Sequence, residues 1–374
     1  MILNNNDMYI NQYVDFKDNY KESDYFDIIV INMYYFYNNN IDSRQYKITK
    51  IGIESDGSED QNRISELTEF VDLLNESLQN GEQFSQWQIF YLYKEIFQKL
   101  IHNKNIEKRY NYFRGQSDSK YLLEPGMFRN NVKREFLRDF DGIYEELSRL
   151  FPNRLKYYPL DEENVKSRES QLSLLQHFGL KTSLLDITSN PYIAMLFMLS
   201  ENFGTYKEPS FYFFKVEKYN DTSKIFVEVV KNEWNERIIA QRGAFLNFDR
   251  AILNKRGSKE KISKIPVVKL VLKFDEAEFE NVIKQSENLL KNSQLSSEEI
   301  QQFIDEIKKD YDAKDRIDNI NYMRKELLDK LNEYFYSESD LFPDFEKRIQ
   351  NISLKYTQAL NKKIRDTKIK GNKF

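Results

Sequence analysis

The chain has 374 residues, 40% of them hydrophobic and 15% aromatic, enough for a sizeable core in one large decorated domain or in two domains. Its net charge is −4 with both signs abundant, which excludes an overall polycation of the kind that coats nucleic acid or anionic membranes. With no cysteine and two histidines, disulfide scaffolds, thiolate metal sites and His-rich zinc sites are excluded, and no metal is expected.

Residues 1–60 are rich in Asn, Asp and Tyr, and residues 1–7 lack the basic and apolar regions of a signal peptide. A cytoplasmic location without a membrane partner is the expectation. Within this part, residues 26–37 are β-prone and end at Asn38, Asn39 and Asn40, a turn signal. Residues 46–53 fit as the second strand of a hairpin, the alternative being a loosely ordered arm. Ile64, Leu67, Val71, Leu74 and Leu78 mark an amphipathic helix over 64–78. A second helix over 87–101 is apolar on most faces. A helix is then expected over 129–150 and another over 170–178, closed by Gly179 in the left-handed position past its end. Asn190 is placed to cap a helix whose first residue is Pro191. Strands are expected at 111–115, 182–186, 211–216, 225–230 and 267–274. From Asp275 the pattern is helical, with Ser296 and Glu299 as a capping box. The expected fold is α+β, with a central mixed, mainly antiparallel sheet flanked by helices and a helical C-terminal extension. Its expected divisions are 1–60, an arm or hairpin accessory to the rest, then 61–274 and 275–374.

No phosphate-binding Gly-rich loop, dinucleotide fingerprint, nucleophile elbow or His-Glu-x-x-His occurs. Chemistry must therefore run mainly on Arg, Asp, Glu, Gln, Tyr and hydroxyls. Two stretches concentrate such groups: residues 112–117, with Arg114, Gly115, Gln116 and Ser117, and residues 176–191, with His177, Thr182, Ser183, Asp186 and Thr188. We expect them to meet and form one polar site. Arg114 reads as a phosphate clamp or as a structural partner of Asp186. Asp186 reads as a partner of Arg114, as a cap for the next helix, or as a catalytic carboxylate; pairing with arginine would keep its pKa low. His177 reads as a structural hydrogen-bonding group or a ligand contact. The hydroxyls of Thr182, Ser183 and Thr188 read as caps by default.

These motifs resemble those of the FRG domain family. Phe113-Arg114-Gly115 matches the triplet that names it, and Leu123-Glu124-Pro125-Gly126-Met127-Phe128-Arg129 matches its Leu-x-Pro-x-x-Phe-Arg. Gln176 through Thr188 matches its Gln-His-Phe-Gly-Leu segment and the Leu-Leu-Asp-x-Thr run after it. Pro191, Ala194 and Phe197 match the family's next helix, Gln241-Arg242-Gly243-Ala244-Phe245 its Gln-x-Gly-x-Phe, and residues 341–344 its Leu-Phe-Pro-Asp. The family often has Trp where this chain has Ile187. The resemblance implies a bacterial protein of a largely uncharacterised family, some members of which act in defence against phage.

The order of these pieces is also similar to the ADP-ribosyltransferase fold. That similarity implies NAD as the cofactor, with Arg114 on its pyrophosphate and the Thr182 and Ser183 hydroxyls on the nicotinamide ribose. It also implies an acidic residue, Glu233 or Glu236, facing developing positive charge. The candidate catalytic residues are then Arg114, His177, Asp186 and Glu236, and the candidate cofactor-binding residues are Arg114, Gly115, Gln116, Thr182, Ser183 and Gln241. The alternative is a module that binds a nucleotide or nucleic acid without chemistry, its C-terminal helices contacting a protein partner.

Overall fold

A computed structural model describes residues 5–341 except 38–44, 55–57, 59, 80–88, 106–107, 202, 218–223, 229–235, 258–261, 292–295, 311–312 and 338–340, together with residues 349 and 353. The strands are β1 (Phe26–Tyr37), β2 (Tyr46–Glu54), β3 (Tyr112–Gln116), β4 (Leu184–Thr188), β5 (Ser210–Phe214), β6 (Phe226–Val227), β7 (Gly243–Asn247) and β8 (Ile265–Phe274). They form one sheet in the order β2-β1-β8-β5-β3-β4-β7-β6. Every neighbouring pair is antiparallel except β1 and β8, which run parallel from Phe26↔Ile265 to Tyr35↔Phe274. The helices are α1 (Asn5–Asp18), α2 (Gln61–Gln79), α3 (Ile89–Ile101), α4 (Arg134–Leu150), α5 (Val165–His177), α6 (Pro191–Met198), α7 (Glu236–Ala240), α8 (Phe248–Gly257), α9 (Glu276–Lys291), α10 (Ser297–Asp310) and α11 (Ala313–Glu333). The mixed, mainly antiparallel α+β architecture is the one the sequence implies.

Alternation along the strands divides the aromatic residues between two cores. Phe113, Phe211 and Phe213 face α2, α3, α6 and α11. Tyr112, Tyr212 and Phe214, one residue out of step, face α1, α4, α5 and α8. The sheet is covered on both sides, so β1 and β8 read as near-continuous apolar runs.

Some expectations need correction. The hairpin β1–β2 is no accessory arm, because β1 lies inside the sheet between β2 and β8. The Asn-rich start forms α1, whose Tyr13, Val14 and Phe16 are core residues. Strand β7 was not expected; it begins at Gly243, directly after Arg242 at φ 47, and its five residues carry too little alternation to announce it. The expected strand at 225–230 is reduced to β6, with residues 229–230 outside the described ones. Among the described residues no helix is long and apolar enough to cross a membrane.

A second polar feature escaped the sequence reading. Arg168 of α5 is fully buried. Its Nε donates to Asp249 Oδ2 at 2.8 Å, its Nη1 to the Tyr158 carbonyl at 2.6 Å, and its Nη2 to Asp141 Oδ1 at 2.6 Å and to the Tyr13 hydroxyl at 2.8 Å. The Tyr13 hydroxyl donates in turn to Asp249 Oδ1 at 2.9 Å. With each guanidinium nitrogen engaged, the charge is tolerated, and it pins α1, α4, α5 and α8 together.

Gly115 fixes how α6 meets the sheet. A Cβ at this position would lie 1.9 Å from the Ala194 carbonyl oxygen and 2.6 Å from the Met198 nitrogen. Both are backbone atoms of the crossing helix, so no side-chain rotation relieves the clash. Gly115→Ala is expected to destabilise the protein by about 3 kcal/mol, the upper range for overpacking a core. A denaturant titration with a midpoint equal to wild type would show that α6 can shift away without penalty.

Candidate functional site

Strands β3 and β4 share one ladder pair, Phe113↔Thr188. Beyond it the two strands make no further ladder pair, although β3 continues along β5 and β4 along β7. A hollow of about 340 Å³ lies at this break. Its walls are the ends of β3 and β4, the C-terminal ends of α5 and α6, the start of β7, and Tyr121 and Arg129 from the segment after β3. The volume is at the lower end of that of small-molecule sites.

Arg114 spans the break. Its Nη1 donates to the backbone carbonyl of Asp186 at 2.6 Å, supplying a bond that the interrupted ladder lacks. The ion pair with the Asp186 carboxylate considered from sequence is replaced by this backbone bond. The Arg114 Nε is buried and has no hydrogen-bond partner among the described residues. The surrounding protein lowers the Arg114 pKa, with Asp186 opposing and Arg129 adding to the effect. An arginine so placed stays a cation. Its unmet N–H and its charge, offset only in part by Asp186, suit an anion.

The Asp186 side chain is exposed on the hollow, while protein surrounds it on its other sides. That enclosure raises its pKa; Arg114, Arg129 and a hydrogen bond from Gln176 pull it down without overcoming the rise. The low pKa expected from arginine pairing is thereby corrected. Gln176 Nε2 donates to Asp186 Oδ1 at 2.5 Å, while Gln176 Oε1 accepts from the Thr182 hydroxyl. Glu201, at the other side of the hollow, has its pKa lowered by Lys207, whose Nζ donates to Oε2 at 2.6 Å.

The positions of these groups follow from local structure. Helix α5 ends with the Gly179 N–H on the Gln176 carbonyl and the Leu180 N–H on the Leu175 carbonyl, with Gly179 at φ 95. This left-handed termination turns the chain sharply and leaves Gln176 and His177 on the hollow. Asn190 caps α6, its Oδ1 accepting the Tyr192 N–H at 2.9 Å, so Asp186 is not the cap of that helix.

Arg114, Gly115, Gln116, His177, Asp186 and Gln241 all line the hollow, and the two stretches do meet. Thr182 and Ser183 do not. Both are buried behind the wall, the Thr182 carbonyl accepting the Met127 N–H and the Ser183 carbonyl the Phe248 N–H. Their expected contact with a cofactor gives way to a positioning role. Gln241 reaches the hollow, but its amide donates to the Leu341 carbonyl at 2.9 Å. Glu236 begins α7; its side chain and all of Glu233 lie outside the described residues. Among the lining residues without an assigned role in the sequence reading are Arg129, Gln176, Ser117, Tyr121 and Glu201. The first two stood in recognised motifs and Ser117 in the first of the two polar stretches, signals that could have found them; Tyr121 and Glu201 carry none.

The fold and the site together define a three-layer α+β protein with an arginine-lined polar hollow at a break in its sheet. The FRG domain family model matches residues 109–206, and the chain carries an FRG domain over that span. That span carries β3, α4, α5, β4 and α6, and with them most of the hollow. Comparisons with curated proteins and with solved structures returned no match.

The raised pKa makes Asp186 a destabilising charge at high pH. The folded state holds its proton over a window in which the unfolded chain has lost it, so stability falls as pH rises from the ordinary carboxylate range through the raised value. Asp186→Asn keeps an acceptor for Gln176 and should melt at or above the wild-type temperature near about pH 8, the difference closing toward about pH 4. A variant that melts lower at the alkaline end would mean that the carboxylate stabilises the fold through its guanidinium neighbours.

Proposed function

We propose that the hollow binds the phosphates of a nucleotide, that NAD is this nucleotide, and that the reaction is ADP-ribosyl transfer. The observation that carries the reading is Arg114, a cation held by one nitrogen on the Asp186 carbonyl with its buried Nε unmet. Arg129 adds a second guanidinium to the same lining. Two arginines are what a pyrophosphate calls for. Gln116, Gln176 and His177 supply polar edges around them. NAD brings an ADP-ribosyl group with nicotinamide as leaving group. In such a transfer a carboxylate that stays ionised is needed beside the bond that breaks. Glu201, held charged by Lys207, fits that need better than Asp186, whose pKa is raised. A role in defence against phage is carried by the family resemblance.

A second reading is a nucleotide sensor without turnover. The fixing of both acids favours it: Asp186 is engaged by Gln176, and Glu201 by Ser117 and Lys207.

Titration of the purified chain with NAD, followed by assay of nicotinamide release, separates the two. Wild type should bind NAD, and Arg114→Ala should weaken binding by about tenfold to a hundredfold, the effect of losing a charge-assisted bond. Arg114→Lys should fail to restore it, because one ammonium cannot reach the Asp186 carbonyl and the ligand as a planar fork does. Release that depends on Glu201 supports transfer; binding without release supports the sensor. Equal binding by wild type and Arg114→Ala would overturn the phosphate reading itself.

A further inference from the structure

The segment after β3 forms one rim of the hollow and is held with unusual thoroughness for an exposed loop. The Ser119 carbonyl accepts from Lys269 Nζ at 2.7 Å, the Tyr121 carbonyl from the Tyr212 hydroxyl at 3.4 Å, and the Leu122 carbonyl from Gln116 Nε2 at 3.4 Å. The Leu123 carbonyl accepts from the Tyr20 hydroxyl at 2.5 Å, and the Leu123 N–H donates to Glu22 Oε1 at 2.6 Å. Ser119 is tied a second time, its N–H donating to the Glu208 carbonyl at 2.6 Å. The donors and acceptors come from the segment between α1 and β1, from β3, from β5 and its preceding loop, and from β8. A loop that only joined two elements would leave these groups to water. Lys269 and Glu22 are charged groups partly withdrawn from water to serve it: burial lowers the pKa of the first and raises that of the second.

At the middle of this rim stands Tyr121. It is 45% exposed, it shares the lining of the hollow with Arg114 and Arg129, and among the described residues no other aromatic ring packs on it. A rigid backbone that presents an open aromatic ring on a hollow lined by two guanidiniums has the parts of a stacking platform in a phosphate site.

We propose that Tyr121 stacks on the base of the bound nucleotide and so sets the preference of the hollow for a nucleotide over a bare anion. This rests on the phosphate reading of Arg114 given above. Stacking needs only the ring, so the phenol hydroxyl is dispensable, and it adds nothing to the binding of a ligand that has no base.

Titration calorimetry with ADP and with inorganic pyrophosphate, on the full chain, tests the proposal. Wild type should bind both, ADP the more tightly. Tyr121→Ala should weaken ADP by about tenfold or more and leave pyrophosphate unchanged; Tyr121→Phe should leave both unchanged. Arg114→Ala should weaken both. If Arg114→Ala weakens both ligands while Tyr121→Ala keeps the wild-type ratio of ADP to pyrophosphate affinity, the stacking platform is overturned and the phosphate site stands. If wild type binds neither ligand, or Arg114→Ala binds both as wild type does, the phosphate site is overturned and the platform with it. The side chain is exposed at the rim and its backbone bonds do not involve the ring, so both variants should melt with the wild type.

Discussion

The close approach of one helix backbone to one strand is the constraint on which this structure depends. Helix α6 crosses β3 at Gly115 with its Ala194 carbonyl where a side chain would otherwise stand. The same crossing brings the end of α6, with Phe197 and Ser200, to the hollow, together with Glu201 just beyond it. On the other face of β3, Arg114 points toward the end of α5. The middle residue of the Phe-Arg-Gly triplet thus reaches across the break in the sheet, while Phe113 and Gly115 together seat the helix behind it. Core residue, site residue and packing residue follow one another in three positions because a strand alternates its faces.

The break between β3 and β4 is stabilised from the side chains rather than from the ladder. Arg114 supplies the bond to the Asp186 carbonyl, and Gln176 with Thr182 fixes the carboxylate next to it. A sheet interrupted near its middle would expose backbone groups at a cost of roughly 1–3 kcal/mol each if they went unmet. Here the interruption becomes the opening of a hollow lined by two guanidiniums and two carboxylates. Farther away, the buried Arg168 network ties four helices of one layer around the sheet, so that α5 delivers Gln176 and His177 from a firmly held frame.

Much of this was legible in the sequence where a residue type has one physical use. Gly179 after an apolar helix, Asn190 before Pro191, and Ser296 with Glu299 are all found in the roles their chemistry implies. Arg114, His177 and Asp186 were brought together by motif and by the scarcity of other chemistry. What escaped was set by tertiary context. Strand β7 is too short to show a period, and α1 is written in Asn and Asp, which favour helices little. Thr182 and Ser183 became candidate ligand hydroxyls only through the similarity to the ADP-ribosyltransferase fold, since nothing local says which face of the wall they occupy. Arg168 and Asp249 are 81 residues apart in sequence, and only the fold reveals them as a pair.

The bond from Gln241 to Leu341 joins the hollow to a part of the chain far outside residues 109–206. Strand β7, which completes the wall next to Asp186, also lies beyond that span. The stretch by which the family is recognised therefore encodes an incomplete cup. Its missing side is furnished by later sequence, Gln241 through Phe245 among it, so the recognised stretch by itself would leave the hollow open along one wall.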